Sequence, residues 1–298
     1  MNLDGLTQWG GLLVSGSEGG ADVAVAGIPY DGSAVYRKGA RLAPQSIRKL
    51  SAAVPPVTED GRLLTGLRVQ DLGDLDPGAD IELGWTMPAD RLAEVPAATF
   101  LTVLGGDHCT AIATLGAQAR RHPGLSLLWV DAHPDLCDFS RGGRWTCGCA
   151  LRRALEVSGI DPKRVVIAGG RDYDPEELDF IASHEMLLVS APQLARDFEG
   201  SVHSIATRLA GAKVHVSFDI DALDPAFAPG TEIPSAGGLS TREALELLRI
   251  ATHRAQLVGL DIVEVSPPYD HGDITVFAAL KLIFEVWSMA WKADSATR

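Results

Sequence analysis

The sequence is poor in aromatic residues, in cysteine and in positive charge, and each shortage removes a class of protein. Aromatics make up only 6% of its 298 residues, although hydrophobic residues reach 46%. That is an ordinary soluble composition with ample apolar material for a core. The 26 Lys and Arg are outnumbered by 39 Asp and Glu, for a net charge of -13. Such a balance argues against a nucleic-acid surface and against an anionic membrane partner. No apolar run reaches the roughly eighteen residues of a membrane span. Residues 1–20 lack the basic start and continuous apolar core of a signal peptide, so a cytoplasmic location is expected. Four cysteines, Cys109, Cys137, Cys147 and Cys149, are too few for a disulfide framework in a chain this long.

What is present is a rhythm of short apolar runs and helical patterns. The runs 21–28, 67–72, 100–104, 125–130, 164–168, 186–189, 214–218 and 257–263 read as strands. Helical spacing covers 45–52, 110–121, 150–157, a stretch beginning near Pro175, and then 202–209, 241–255 and 274–289. Ser240 or Thr241 caps the helix at 241, with Glu243 or Glu246 in its early turns. The segment 77–94 carries no readable pattern. Continuously apolar strands alternating with helices predict an α/β fold, three layers α/β/α around a central, mostly parallel sheet. No composition break, linker or repeat divides the chain, which predicts one domain over residues 1–298.

The polar residues fall at strand ends. One run closes on Gly-Gly-Asp107-His108. A second closes on Asp131-Ala-His133-Pro-Asp135, a third on Ser217-Phe-Asp219-Ile-Asp221, and a fourth carries Asp261 and Glu264. In a parallel sheet these ends point the same way, and ligands bind there. In extended backbone, residues at i, i+2 and i+4 project to one side, which would align Asp131, His133 and Asp135. His108, Asp131, His133, Asp135, Asp219 and Asp221 offer four carboxylates and two imidazoles, more negative charge than one metal uses well. Two divalent cations bridged by carboxylates suit the set, and oxygen-rich ligands favour manganese over zinc. Ions roughly 3.5–4 Å apart would share and ionise a water, which predicts hydrolysis by metal-activated hydroxide.

These motifs resemble the ureohydrolase superfamily of arginases, agmatinases and formimidoylglutamases, over most of the chain from Gly27 to the final helix. Residues 224–238 and the loop after Ile28 are most similar to agmatinases. The resemblance implies two Mn²⁺ per chain on the six residues named above. It implies a small guanidino or amidino substrate, Asp135 and Glu264 as catalytic residues, and a homo-oligomer, trimer or hexamer. Glu264 would hold the planar cationic end of the substrate, with which a carboxylate pairs bidentately. Its alternative is a buried strand-end acid. Asp172 and Asp174 resemble the loop that contacts an amino-acid substrate, or else they form the acidic N-terminus of the following helix. Arg141 and Arg144 lie in the loop over the site and could bind a substrate carboxylate, or be solvated charges.

The sequence departs from the arginase and agmatinase pattern at three places. Cys147 stands where a His-Gly pair carries the loop histidine, and formimidoylglutamases also lack that histidine. Glu232-Ile233-Pro234 replaces the usual Gly-Thr-Pro, and Cys109 follows His108 where Ser or Thr is common. Cys147 is then a substrate-side thiol or a small buried residue. Three functions stay open: urea release from a guanidino compound, hydrolysis of a formimidoyl or other modified substrate, and a catalytically silent metal-binding relative.

Overall fold

The computed structural model describes residues 6–14, 20–78 and 82–291. The readings of residues 1–20 and of 77–94 therefore fall partly outside the described residues. Eight strands form one sheet: β1 Val23–Ile28, β2 Val69–Asp74, β3 Phe100–Gly105, β4 Ser126–Val130, β5 Val165–Ala168, β6 Leu187–Val189, β7 Lys213–Asp219 and β8 Gln256–Val263. Their order is β2-β1-β3-β8-β7-β4-β5-β6. Every pairing between them is parallel.

Between the strands run α1 Ala43–Ser51, α2 Thr86–Ala93, α3 Thr110–Arg121, α4 Ala150–Ser158, α5 Pro175–Ser183, α6 Ala191–Arg196, α7 Phe198–Leu209, α8 Thr241–Thr252 and α9 Ile274–Ala290. They divide between two cores. Val23, Val25, Leu128 and Val216 meet Ile47 of α1, Ile205 of α7, Leu248 of α8 and Ile283 of α9. Ala24, Ala26, Leu127 and Trp129 meet Leu92 of α2, Ile112 of α3, Ala154 of α4 and Ile181 of α5. Adjacent strand residues point to opposite faces. With a core on each face, β1 and β3 are buried at every position, which is why they read as unbroken apolar runs.

Local chemistry sets the boundaries. At α8 the cap is Ser240: its Oγ accepts from Glu243 N at 3.1 Å, and Glu243 Oε2 accepts from Ser240 N at 2.8 Å. Three features escaped the sequence reading. The stretch without pattern contains α2. Residues 191–196 form α6, capped by Ser190 and Gln193 in the same reciprocal way. Helix α7 begins at Phe198, not 202, because Asp197 caps it by accepting from Gly200 N at 3.0 Å.

The strand order has one consequence for function. The strands β3, β8, β7 and β4, whose ends carry the four polar motifs, are consecutive neighbours in the centre of the sheet. At about 4.8 Å per strand, the four ends lie within roughly 15 Å.

Candidate metal centre and substrate cavity

Two clusters of ligand atoms meet at these ends. In the first, His108 Nδ1 lies 3.0 Å from Asp131 Oδ2, 3.1 Å from Asp219 Oδ2 and 3.3 Å from Asp135 Oδ2. In the second, His133 Nδ1 lies 3.2 Å from Asp221 Oδ2 and 3.5 Å from Asp131 Oδ1. Asp131 thus turns one oxygen to each cluster. All six sequence-predicted metal residues come together.

The backbone route differs from the expected one. The segment after β4 is not extended: residues 131–133 bend, and Asp135 has φ +54° in the left-handed region. Beyond β7, Ile220–Ala222 form a 3-10 turn. The acids converge through turns that side-chain hydrogen bonds hold. Asp131 Oδ1 accepts from His133 N at 2.6 Å, Asp219 Oδ1 from Asp221 N at 2.8 Å, and Asp221 Oδ1 from Ala132 N at 3.2 Å. Each of these leaves the second carboxylate oxygen for the cluster.

A buried polar chain stands behind the first cluster. His108 stacks on Trp129, with ring centroids 3.8 Å apart and 4° between planes. Its Nε2 is 2.9 Å from Ser217 Oγ, and Ser217 donates to Asp261 Oδ1 at 2.5 Å. Asp261 Oδ2 lies 2.9 Å from His215 Nε2, whose Nδ1 is 3.0 Å from Gln118 Nε2. This chain fixes the ring of His108 and points Nδ1 at the acids. Ser217 and His215 were not singled out from sequence. Their signal is polar residues at every second position of an apolar strand, 215, 217 and 219, all on one face. Asp107 does not join either cluster. Its oxygens accept from Ser33 N and Cys109 N at 3.0 and 3.2 Å, tying down the loop after β1.

The electrostatics favour positive charge between the acids. Burial, then the Asp131 charge, pushes Asp135 up to about 7. Burial and the charges of Asp221 and Asp131 hold Asp219 well above the usual carboxylate range. Burial opposes the charged form of His108, but its three carboxylate neighbours outweigh that and raise it. His108 Nδ1 and Asp131 Oδ2 are buried without any hydrogen-bond partner. Buried groups of this kind are normally paired or bound to metal. Both clusters match the donor set of a divalent cation, and they share Asp131.

A cavity of about 340 Å³ opens over the clusters. Glu264 lines it from the end of β8, at φ +61°. Its Oε1 accepts from His108 N at 2.8 Å, and its Oε2 is buried without a partner. Backbone strain at Asp135 and Glu264 falls where strain is kept for function. Cys147 also lines the cavity, and burial followed by the charges of Glu264 and Glu232 pushes its thiol up. Asp172 and Asp174 line the rim. Asp172 Oδ2 accepts from Ser235 Oγ at 2.6 Å, while Asp174 is the N-cap of α5, its amide donating to Glu177 Oε2 at 2.8 Å. Arg144 is not brought to the cavity. Its guanidinium donates to Asp138 Oδ1 at 2.9 Å, and Arg141 lines the cavity instead.

The sequence pattern of the Arginase family matches residues 21–288. The chain belongs to the arginase family. It is 37% identical to proclavaminate amidinohydrolase of Streptomyces clavuligerus over 271 residues, covering 88% of this chain and 86% of that protein. It is 36% identical to an agmatinase of Neisseria meningitidis over 278 residues, covering 90% and 87%. The solved structure of the Streptomyces clavuligerus proclavaminate amidinohydrolase superposes with a TM-score of 0.87 at 34% identity, covering 96% of this chain and 97% of that one. Arginase-family membership makes the chain a hydrolase of C–N bonds in linear amidines. The family fold implies a binuclear metal site, and the two clusters around Asp131 fit one.

Proposed function

We propose that this arginase-family enzyme cleaves the C–N bond of a guanidino compound and releases urea, with two Mn²⁺ per chain. One observation carries the reading: Asp131 joins two carboxylate–imidazole clusters directly beneath the cavity into which Glu264 faces. His108, Asp131, Asp135 and Asp219 would hold one ion, and His133, Asp131 and Asp221 the other. When bound, such a pair supplies Lewis acidity and brings the pKa of a water towards neutrality.

The chain's own residues do the rest. Glu264 binds the planar cation through Oε2 and orients its central carbon over the clusters. Asp135 gives Oδ2 to the first cluster and keeps Oδ1 to take up the proton that the attacking water loses, passing it to the leaving amine. Cys147, Asp172 and Asp174 shape the side where the remainder of the substrate lies. The reading treats the 298 residues as one domain working in the cytoplasm as a homo-oligomer.

A formimidoyl-type substrate is the second reading, favoured by the thiol of Cys147 on the cavity wall. A catalytically silent relative is disfavoured by the complete constellation of ligands and Glu264. Product analysis across a panel of guanidino and formimidoyl compounds separates the three. Urea from the guanidino compounds is expected. Formamide from the formimidoyl compounds without urea would establish the second reading. No product at all from manganese-loaded protein across that panel would revive the third.

A further inference from the structure

Glu232 has no part in the two clusters, yet it is among the most constrained acids in the molecule. It is 2% exposed, and Glu264 is 4% exposed. The two carboxylates are held alike. Glu232 Oε1 accepts from Val35 N at 2.5 Å and from Tyr36 N at 2.7 Å. Glu264 Oε1 accepts from His108 N at 2.8 Å. In both, Oε2 is buried and has no hydrogen-bond partner. Both residues line the one cavity over the clusters. Among the described residues, neither pairs with a lysine, arginine or histidine.

Two buried carboxylates facing one space are unfavourable unless a cation with donors for both sits between them. The backbone bonds on the Oε1 atoms anchor each carboxylate and leave its Oε2 without a partner. A monosubstituted guanidinium carries five N–H donors in one plane, spread over three edges. An amidinium has one nitrogen replaced by a C–H or C–C bond, so only one of those three edges keeps N–H donors on both sides. Only the guanidinium can satisfy two carboxylates on different edges at once.

We infer that Glu232 and Glu264 form a two-carboxylate clamp that grips a guanidinium by two edges, with Glu232 the residue that tells a guanidine from an amidine. The inference rests on the proposed reading of Glu264 as the acid that binds the cationic end of the substrate. It makes the formimidoyl class the poorer fit to this cavity. It also gives the bonds to Val35 and Tyr36 a purpose, since they aim Glu232 from the loop that roofs the site.

The test measures binding of methylguanidine and of N-methylacetamidine to manganese-loaded protein by calorimetry. Wild type is expected to prefer methylguanidine by about ten-fold, the worth of one charge-assisted hydrogen bond. Glu232→Gln keeps the Oε1 acceptor for Val35 and Tyr36 and turns Oε2 into a donor. It should bring the preference within about three-fold while N-methylacetamidine binds as before. Glu264→Gln should weaken both ligands. Equal affinities in wild type would overturn the clamp, and so would a Glu232→Gln variant that keeps the preference or weakens both ligands alike. The wild-type comparison stands even if the variant does not fold. A wild type that prefers methylguanidine yet releases no urea from any guanidine would leave the clamp in place and defeat the hydrolytic reading.

Discussion

At Glu264 a single oxygen separates binding from folding. Oε1 is committed to His108 N, and Oε2 is free. Glu264→Gln preserves the first role and removes the charge from the second. The variant should fold and load metal as wild type does while kcat/KM falls by at least about 100-fold, the loss of a charge-assisted contact to the substrate cation in the transition state. Unchanged kinetics would show that no cationic end docks there. Cys147 is the other informative residue. Burial and neighbouring carboxylates keep its sulfur protonated near neutral pH, so a thiolate-seeking reagent should label it slowly in the folded protein. An imidazole there would titrate near neutrality and serve as a proton shuttle. Cys147→His should therefore raise hydrolysis of simple guanidino compounds or leave it intact; a folded variant that loses all activity would contradict this. The six candidate ligands were legible in the sequence because charged residues at the ends of apolar runs have few bland explanations. Glu232 showed in the sequence only as part of a departure from the family pattern, and Ser217 only as part of a strand-end motif; neither had a role. A glutamate in a loop and a serine in a strand are unremarkable until their burial is known.

At the scale of elements, β7 and β8 supply both ligands and the support behind them. Ser217 and Asp261 hold His108 Nε2, so that Nδ1 faces the acids. Removing such support weakens metal binding by roughly 10- to 100-fold in comparable sites. Asp261→Asn should therefore lose metal to a chelator far more readily than wild type, as competition with a fluorescent chelator would read. An unchanged metal affinity would make the chain a packing feature only. A second element-level prediction concerns Glu59. Its Oε1 accepts from Arg242 and Arg249 at 2.6 and 2.9 Å, tying its loop to α8. The bond from Arg242, against a smaller burial effect, and then that from Arg249 lower its pKa from 4.5 to about 2. A depressed acid stabilises the fold above its ordinary value, and that stability is lost as pH falls from about 4.5 through 2. Glu59→Gln should thus be less stable than wild type in denaturant at pH 7, and the gap should close towards pH 2. Element type was legible where period and cap agreed, as in α8. Helix α6 was not, since its six residues are too short for a period to show.

At the scale of the molecule, sequence showed that the strand ends face one way, but not which strands are neighbours. The order β3-β8-β7-β4 arises from crossovers that carry the chain over two strand positions between β3 and β4. Long-range topology of this kind leaves no local pattern in the residues. That order collects four buried carboxylates within one small volume, so cations bound there would be coupled to the fold. Stripping metal should lower the melting temperature, and manganese should restore it in a concentration-dependent way. Counting the ions is the most direct check. Protein prepared in manganese, freed of excess metal and analysed by plasma mass spectrometry is expected to carry about two manganese ions per chain, as a carboxylate-bridged pair requires. A single tightly held zinc per chain, in protein that hydrolyses its substrate at full rate, would contradict the two-cluster site built on Asp131.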